Sequence, residues 1–250
     1  MTHSFETRQI PFFLTAPSPC PYLAGQWERK VFTRLEPAEG PALNDALTHA
    51  GFRRSQSVLY RPACEGCDAC RSVRIDVAGF QLTKRWNRIL KRNADLKCEE
   101  RDAEATAEQY ALFRAYLESR HGDGDMAGMS FGEYVMMAED GAQRTHIAEY
   151  RDPADRLIAA ALTDTLKDGV SLVYSYFDPD MPRRSLGGFM ILDAVRQAAD
   201  KGLPYVYLGY WVKGSAKMNY KADYQPLQLL TPGGWRDFAE AANQDAENGE

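Results

Sequence analysis

The stretch YSYFDPDMPRRSLGGFMILDAVRQAADKGLPYVYLGYWVKGSAKMNYKADYQPLQLL, Tyr174 to Leu230, decides the fold. Val170, Leu172 and Val173 lead into Tyr174 and Tyr176, a β-branched and aromatic run of strand type. Asp178, Pro179 and Pro182 break that run. Phe189, Met190, Leu192, Val195 and Ala199 then recur at helical spacing until Gly202, placed as a C′ glycine, ends the helix. A second strand, Tyr205 to Tyr210, follows at once. The unit reads as β-α-β, which asks for two parallel strands in one sheet and a helix crossing one face.

Upstream of this unit, RTHIAEY (144–150), RLIAAALTDTLK (156–167) and GVSLVYSYF (169–177) read as strands, with Asp152-Pro153 and Asp168-Gly169 as turns. Tyr110, Phe113 and Leu117 repeat at helical spacing within Glu104–Arg120, HGDGDMAG (121–128) is a loop by its glycines and aspartates, and Ser130 with Glu133 makes a capping box for the helix FGEYVMMAE. Two helices, a hairpin-like run of strands and then β-α-β is the element order of a GNAT-type acyltransferase. The expected fold class is therefore α+β, with a GNAT-like acyltransferase domain on a mixed sheet at 101–236.

The first hundred residues read as a small α+β domain, 1–100. RQIPFFLT and RKVFTRLE are strands around the turn-rich APSPCPYLAGQW, residues 41–50 form a helix between Pro41 and Gly51, and RRSQSVLY returns to alternation. RPACEGCDACRS is a tight turn with three cysteines, followed by the strand VRIDVA and the basic segment KRWNRILKRNADLK.

With 250 residues, of which 44% are hydrophobic, the chain can bury a core of one large or two small domains. It has no apolar run of about 18 residues and no signal-peptide pattern, so a cytoplasmic protein with no membrane partner is expected. The formal net charge of −5 is uneven. Asp237, Glu240, Asp245, Glu247 and Glu250 stand in a tail, 237–250, without Lys or Arg, and they account for all of it; this tail is expected to be disordered. Lys84, Arg85, Arg88, Lys91 and Arg92, by contrast, crowd together with no acid before Asp95. For a polyanion a local basic stripe outweighs net charge.

Cys64, Cys67 and Cys70 form C-x-x-C-x-x-C, and Cys20 lies in the turn SPCPYL. In a reducing compartment this spacing points to a metal rather than disulfides, and three thiolates plus a remote fourth suit zinc or an iron-sulfur cluster. The alternative is a metal-free tight turn. Cys98, beyond the basic segment, is a spare thiol.

Four segments together, SPCPYLAGQWERKVF, GFRRSQSVLYRPACEGCDACRSVRIDV, YSYFDPDMPRRSLGGFMILDAV and YVYLGYWVKGSAKMNYKADYQPLQLL, resemble the bacterial leucyl-tRNA–protein transferases, the aspartate/glutamate leucyltransferases, which are relatives of the eukaryotic arginyl-tRNA–protein transferases. The likeness spans residues 8 to 236. It implies two domains and transfer of leucine from its tRNA to proteins beginning with Asp or Glu, marking them for degradation. The eukaryotic relatives carry C-x-x-C where this chain has Cys20-Pro-Tyr-Leu23, so no metal site carries over from them, and only Cys20, Cys64, Cys67 and Cys70 remain as candidates.

The implied reaction is aminolysis of an ester. It runs downhill, and the chain has no P-loop for a nucleotide. No cofactor is required. An α-amine with a pKa of about 7.7–8.0 is partly neutral already, so positioning, worth roughly 7–11 kcal/mol, is expected to dominate.

Four needs follow. An acidic acceptor side chain needs a cation, best a guanidinium: Arg74, Arg53 or Arg54, and Arg183 or Arg184 are candidates, with Arg74 and Arg184 set apart by their neighbouring turns. The tRNA end needs phosphate partners and stacking rings, which Lys213, Lys217 and Lys221 interleaved with Tyr220 and Tyr224 offer, extended by Lys84, Arg85 and Arg88. The developing oxyanion needs donors, and the amides opening the helix after RRSLGG, with Ser185, are candidates, although Ser185 equally fits a helix cap. Asp178 and Tyr210 are the polar groups at strand ends suited to a base, and Asp178 equally fits a turn. Nothing links His121 or His146 to this motif.

Two rival readings remain. An acetyl-CoA-dependent N-acetyltransferase would use Arg184-Ser-Leu-Gly187-Gly-Phe189 as a pyrophosphate turn, but Phe189 stands where a small residue should allow close approach. A non-catalytic, metal-stabilised RNA-binding module would use the cysteines and the basic segment and leave the glycine turn idle.

Overall fold

The computed structural model describes residues 9–36, 40–120, 128–140 and 144–247, with side chains through 242. In chain order the elements are β1 (Phe13–Leu14), β2 (Ser18–Pro19), β3 (Trp27–Glu28), β4 (Lys30–Arg34), α1 (Gly40–His49), β5 (Arg53–Ser55), β6 (Val58–Pro62) and β7 (Cys70–Asp76). α2 (Lys84–Arg92), β8 (Lys97–Asp102), α3 (Ala107–Arg120), α4 (Phe131–Glu139), β9 (Thr145–Arg151), β10 (Leu157–Thr165) and β11 (Gly169–Phe177) follow. α5 (Leu186–Asp200), β12 (Tyr205–Val212), β13 (Leu227–Thr231), β14 (Gly234–Asp237) and α6 (Phe238–Glu247) complete the chain, with 3₁₀ turns at Pro182–Arg184 and Asn219–Asp223.

The dominant sheet runs β14-β13-β7-β12-β11-β10-β9-β8. Within it β11 and β12 are parallel and every other neighbour is antiparallel, which makes the sheet mixed. Its side chains alternate between two cores, as strand period requires. β10 gives Ala159 and Ala161 to one face, under α5 and α2, and Ala160 and Leu162 to the other, under α3 and α4. A second, antiparallel sheet, β1-β4-β6-β5, carries a small core of Leu35, Phe52 and Leu59 with Leu43 and Leu47 of α1.

The two sheets are joined by a buried polar hub. Arg54 of β5 grips Asp164 of β10 with two hydrogen bonds, Nε to Oδ2 at 2.6 Å and Nη2 to Oδ1 at 2.8 Å. Asn44 of α1 and Thr145 of β9 donate to the same carboxylate.

The β-α-β unit stands as its sequence indicates. Gly202 has φ +67°, the left-handed cap that a glycine takes without strain, and the Ser130–Glu133 capping box opens α4. Two expectations are corrected. A domain boundary near residue 100 does not follow the sheets: β7 is threaded between β13 and β12, β8 forms an edge, and α2 lies on α5. β7 joins strands more than a hundred residues away, pairing Val73 with both Gly209 and Leu229, a contact that no local pattern reveals. The acidic tail is likewise not wholly unstructured, because α6 occupies it, with Phe238 edge-on to Trp211 at 5.0 Å and Ala241 buried. The loop at 121–128, with His121, falls outside the described residues but for its last position, as do residues 248–250.

Candidate functional site

The large sheet opens between β11 and β12. They pair only through Gly169–Tyr205, Val170–Val206 and Ser171–Tyr207, and then separate, while β11 stays with β10 as far as Phe177 and β12 with β7 as far as Val212. At the closed end a Cβ on Gly169 would stand 2.4 Å from Tyr205 O, so only glycine permits the approach. Beyond Ser171 and Tyr207, each strand has an inner edge with backbone groups that have lost their neighbour.

Two basic side chains take over those edges. Arg53, the first residue of β5, donates Nη2 to Val173 O on the β11 side at 3.1 Å. Its guanidinium lies against Gly209 of β12, where a Cβ would sit 2.4 Å from Cζ, and it is 5.8 Å from the Tyr210 ring. The φ of +71° at Gly209 belongs to a bulge opposite Val73, so this glycine allows both the backbone turn and the close guanidinium. Lys221, in the 3₁₀ turn after β12, folds back and donates Nζ to Tyr210 O at 2.5 Å, 4% exposed. Arg54 and Arg74, the other buried cations among the described residues, each face an aspartate; Lys221 and half-buried Arg53 face none. The cleft is thus lined by two basic side chains with no carboxylate beside them, and the Arg53 guanidinium favours an anion there.

The cleft opens toward the start of α5. Gly187 lies under the Phe177 ring, a Cβ there reaching 3.3 Å from it, and Gly188 faces Tyr224 and Ile89. Tyr116 of α3 meets Phe177 edge-on at 4.9 Å. Beside this opening runs α2, capped by Thr83, with Trp86 and Ile89 buried and Lys84, Arg85, Arg88, Lys91 and Arg92 exposed. Asn93 donates to Arg184 O at 2.8 Å, and Arg92 donates to Arg183 O, which fixes the end of α2 to the turn before α5. The basic face therefore leads to the cleft.

Several expected site residues are engaged by their neighbours. The Arg74 guanidinium is held by Gln228 and Tyr207, lies 3.7 Å from Asp168, and is sandwiched by Tyr205 and Trp235 at 3.4 and 4.3 Å. Because Asp168 precedes β11, this cluster is at the closed end of the cleft. Arg184 pairs with Asp95 at 2.6 Å. Asp178 accepts from its own Asp180 amide at 2.9 Å and lies 3.7 Å from Arg156, a turn residue on the β10 side. The Tyr210 hydroxyl is 3.0 Å from Gly51 O and Tyr60 O, where it ties β12 to β6 and the end of α1, and burial raises its pKa. Ser185 takes a left-handed φ of 54° and makes no cap bond, leaving its exposed hydroxyl at the cleft opening.

The lysine and tyrosine run divides. Lys213, Lys217 and Tyr220 are exposed, whereas Lys221 is inside the cleft and Tyr224 stacks on Trp86 at 4.7 Å and 12°. Sequence reasoning missed the inward turn of Lys221; its one usable signal was Gly209 inside the strand run YVYLGYW, since a strand-interior glycine marks a close approach. Phe189 points into the core against Tyr150 at 5.4 Å, so it does not obstruct the helix start as expected.

The four cysteines share one corner. Burial first, and then the Cys20, Cys64 and Cys67 thiols, push Cys70 up to about 12. As arranged, no three metal-ligating side chains among the described residues converge to hold an ion.

Comparison with known proteins adds relatives. Residues 18–88 match the family described as "Arginine-tRNA-protein transferase, N terminus", and residues 108–231 match "Arginine-tRNA-protein transferase, C terminus". A protein of Maricaulis maris named aspartate/glutamate leucyltransferase is 68% identical over 250 residues, covering 100% of this chain and 98% of the relative. One of the same name from Caulobacter vibrioides is 56% identical over 94% of this chain and 86% of its own length. Among solved structures, the C-terminal domain of a putative lysylphosphatidylglycerol synthetase from Agrobacterium fabrum aligns with TM-score 0.43 and 16% identity over 69% of this chain and 52% of its own.

Proposed function

The chain belongs to the arginine-tRNA-protein transferase family, and from that premise we propose that it transfers leucine from leucyl-tRNA to the α-amine of proteins beginning with Asp or Glu. The observation that supports this reading best is the cleft between β11 and β12, with the Arg53 guanidinium inside it lacking an acid and a basic helix leading to it.

In this reading the leucylated 3′ end enters at the start of α5, where the amides of the first helical turn point at the opening and stabilise the oxyanion as the amine adds. The ring of Tyr220 and the hydroxyl of Ser185 border that opening. Arg53 takes the acceptor's carboxylate, because its guanidinium is half-buried, lies between the strands and has no acid of its own. The amine attacks the ester carbonyl, the C–N bond forms, and the tRNA 3′ oxygen leaves with the proton. The step needs no nucleotide or redox partner. Cys20, Cys64, Cys67 and Cys70 belong to the structure of the N-terminal region in this reading and no step passes through them.

Acceptor-stem phosphates lie along α2, extended by Lys213 and Lys217. The double variant Arg88→Ala/Lys91→Ala is expected to weaken leucyl-tRNA binding and to lower the slope of log affinity against log salt by about 1.5, since each phosphate contact contributes roughly 0.7–0.9. A filter-binding titration at several salt concentrations measures this, and an unchanged slope moves the stem elsewhere.

The reading itself is tested by giving purified protein tRNA charged with labelled leucine, together with peptides beginning with Asp, Glu or Ala. Label is expected on the Asp and Glu peptides and not on Ala. Acylation from acetyl-CoA instead of charged tRNA would overturn the donor, and equal retention of charged and uncharged tRNA without transfer would leave only a binding module.

A further inference from the structure

Lys221 has no role in the binding scheme above, yet it is the most deeply buried lysine or arginine without an acidic partner among the described residues. Its Nζ reaches the inner edge of β12 and donates to Tyr210 O, beyond Tyr207, the last residue of β12 that pairs with β11. That bond occupies one N–H. A protonated ammonium carries three donors, so it would leave two of them inside the cleft with no acceptor among the described groups. The charged and titratable groups around it are the Arg53 guanidinium of β5, the Tyr210 phenol of β12 with Tyr60, Cys70 and Arg61 behind it, and Tyr220 of its own turn. None is a carboxylate. Burial, and after it the Arg53 charge, push Lys221 well below the ordinary lysine value.

We propose, on the basis of the leucyl-transfer reading, that Lys221 takes the proton shed by the acceptor's α-amine as the peptide bond forms. The geometry that carries the proposal is that Lys221 and Arg53 meet β12 at successive residues, Lys221 at Tyr210 O and Arg53 against Gly209. In an N-terminal Asp or Glu, the side-chain carboxylate and the α-amine hang from the same short segment. A carboxylate seated on Arg53 therefore brings the amine to the neighbouring group. The amine attacks the leucyl carbonyl; as the C–N bond forms, the nitrogen carries one proton too many, and the free electron pair of the neutral Lys221 amine accepts it. The C–O bond to the tRNA breaks, Lys221 returns the proton to the departing 3′ oxygen, and the neutral amine is restored. Tyr210 O holds Nζ in place through both transfers.

Lys221→Met and Lys221→Arg distinguish this from a merely structural or anion-binding role. With Asp-initiated peptide and leucyl-tRNA, both variants are expected to lose about a hundredfold in kcat, the ordinary scale of general base catalysis, with the acceptor KM and leucyl-tRNA affinity within about twofold of wild type. Arginine can keep the bond to Tyr210 O and brings a fixed positive charge, but it cannot give up its proton at working pH, so its failure is the telling result. Trimethylamine or imidazole, added as free base, should restore peptide labelling in Lys221→Met. Near-normal kcat in Lys221→Arg, or a raised acceptor KM at normal kcat, would overturn the proposal and make Lys221 an anion-binding partner of Arg53. Should neither variant fold, single-turnover transfer by wild type in D2O decides: a slowing of about twofold or more is expected, and its absence overturns the proposal. Absence of any leucine transfer by wild type would instead defeat the functional reading on which this rests.

Discussion

Replacing Arg54 by methionine is expected to destabilise the protein by about 3–5 kcal/mol, the cost of removing one partner from a buried ion pair. Asp164 is 1% exposed and Arg54 5%, and the carboxylate is left with only the neutral donors Asn44 and Thr145. At roughly 2–4 °C per kcal/mol for a chain of this size, the melting temperature falls by about 6–20 °C. The double variant Arg54→Met/Asp164→Leu should recover much of the loss, since two apolar side chains leave no orphaned charge and the two positions are in direct contact. Urea denaturation of wild type, both single variants and the double variant gives the cycle. A loss under about 1 kcal/mol for Arg54→Met would mean that the hub does not hold the two sheets together. The hub is composed of β5, α1, β9 and β10, so it also decides where β5 stands relative to the opening of the large sheet.

Adjacent residues on a strand point to opposite sides, and here that simple rule converts the dipeptide Arg53-Arg54 into two functions. Arg54 points to Asp164 and anchors, whereas Arg53 points to Val173 O and Gly209 and enters the cleft. The sequence alone offers both as candidates with no means of choosing, because the choice depends on β10 and β11, more than a hundred residues downstream. What could be read locally was read correctly: the β-α-β unit from its hydrophobic periods, the Ser130 cap and the Gly202 stop. Arg74 and Lys221 show the limit. Arg74 sits beside a cysteine turn that suggested a site, but its β7 neighbours are β12 and β13, whose Tyr205, Tyr207 and Gln228, with Trp235 of β14, close around its guanidinium. Lys221 belongs to a run whose lysines look alike in sequence. Lys213 and Lys217 stay in solvent, and only the 3₁₀ turn at Asn219–Asp223 brings Lys221 back under β12.

Arg53→Ala is expected to lower kcat/KM for Asp- and Glu-initiated acceptors by about a thousandfold, roughly 4 kcal/mol, within the range for removing one member of a buried charged contact. The loss has two sources that the acceptor series separates. The guanidinium supplies a charge for the acceptor carboxylate, and it also spans from Val173 O on β11 to the face of Gly209 on β12, keeping the width of the cleft. If recognition of the carboxylate dominates, peptides beginning with Asn or Gln, poor acceptors for wild type, should lose far less than Asp and Glu peptides, and the discrimination should shrink toward unity. Leucyl-tRNA affinity should then stay within about twofold, because the basic face that leads to the cleft is on α2. Arg53→Lys should retain part of the preference, having the charge but only a point donor in place of the fork. An equal loss for Asp and Asn peptides would assign Arg53 to holding the strands apart and would send the search for the carboxylate partner elsewhere. Gly209 offers an independent check on geometry: Gly209→Ala leaves every charge in place but drives a methyl group into Cζ of Arg53. If the position of the guanidinium matters as well as its presence, this variant should reproduce the loss on Asp and Glu peptides.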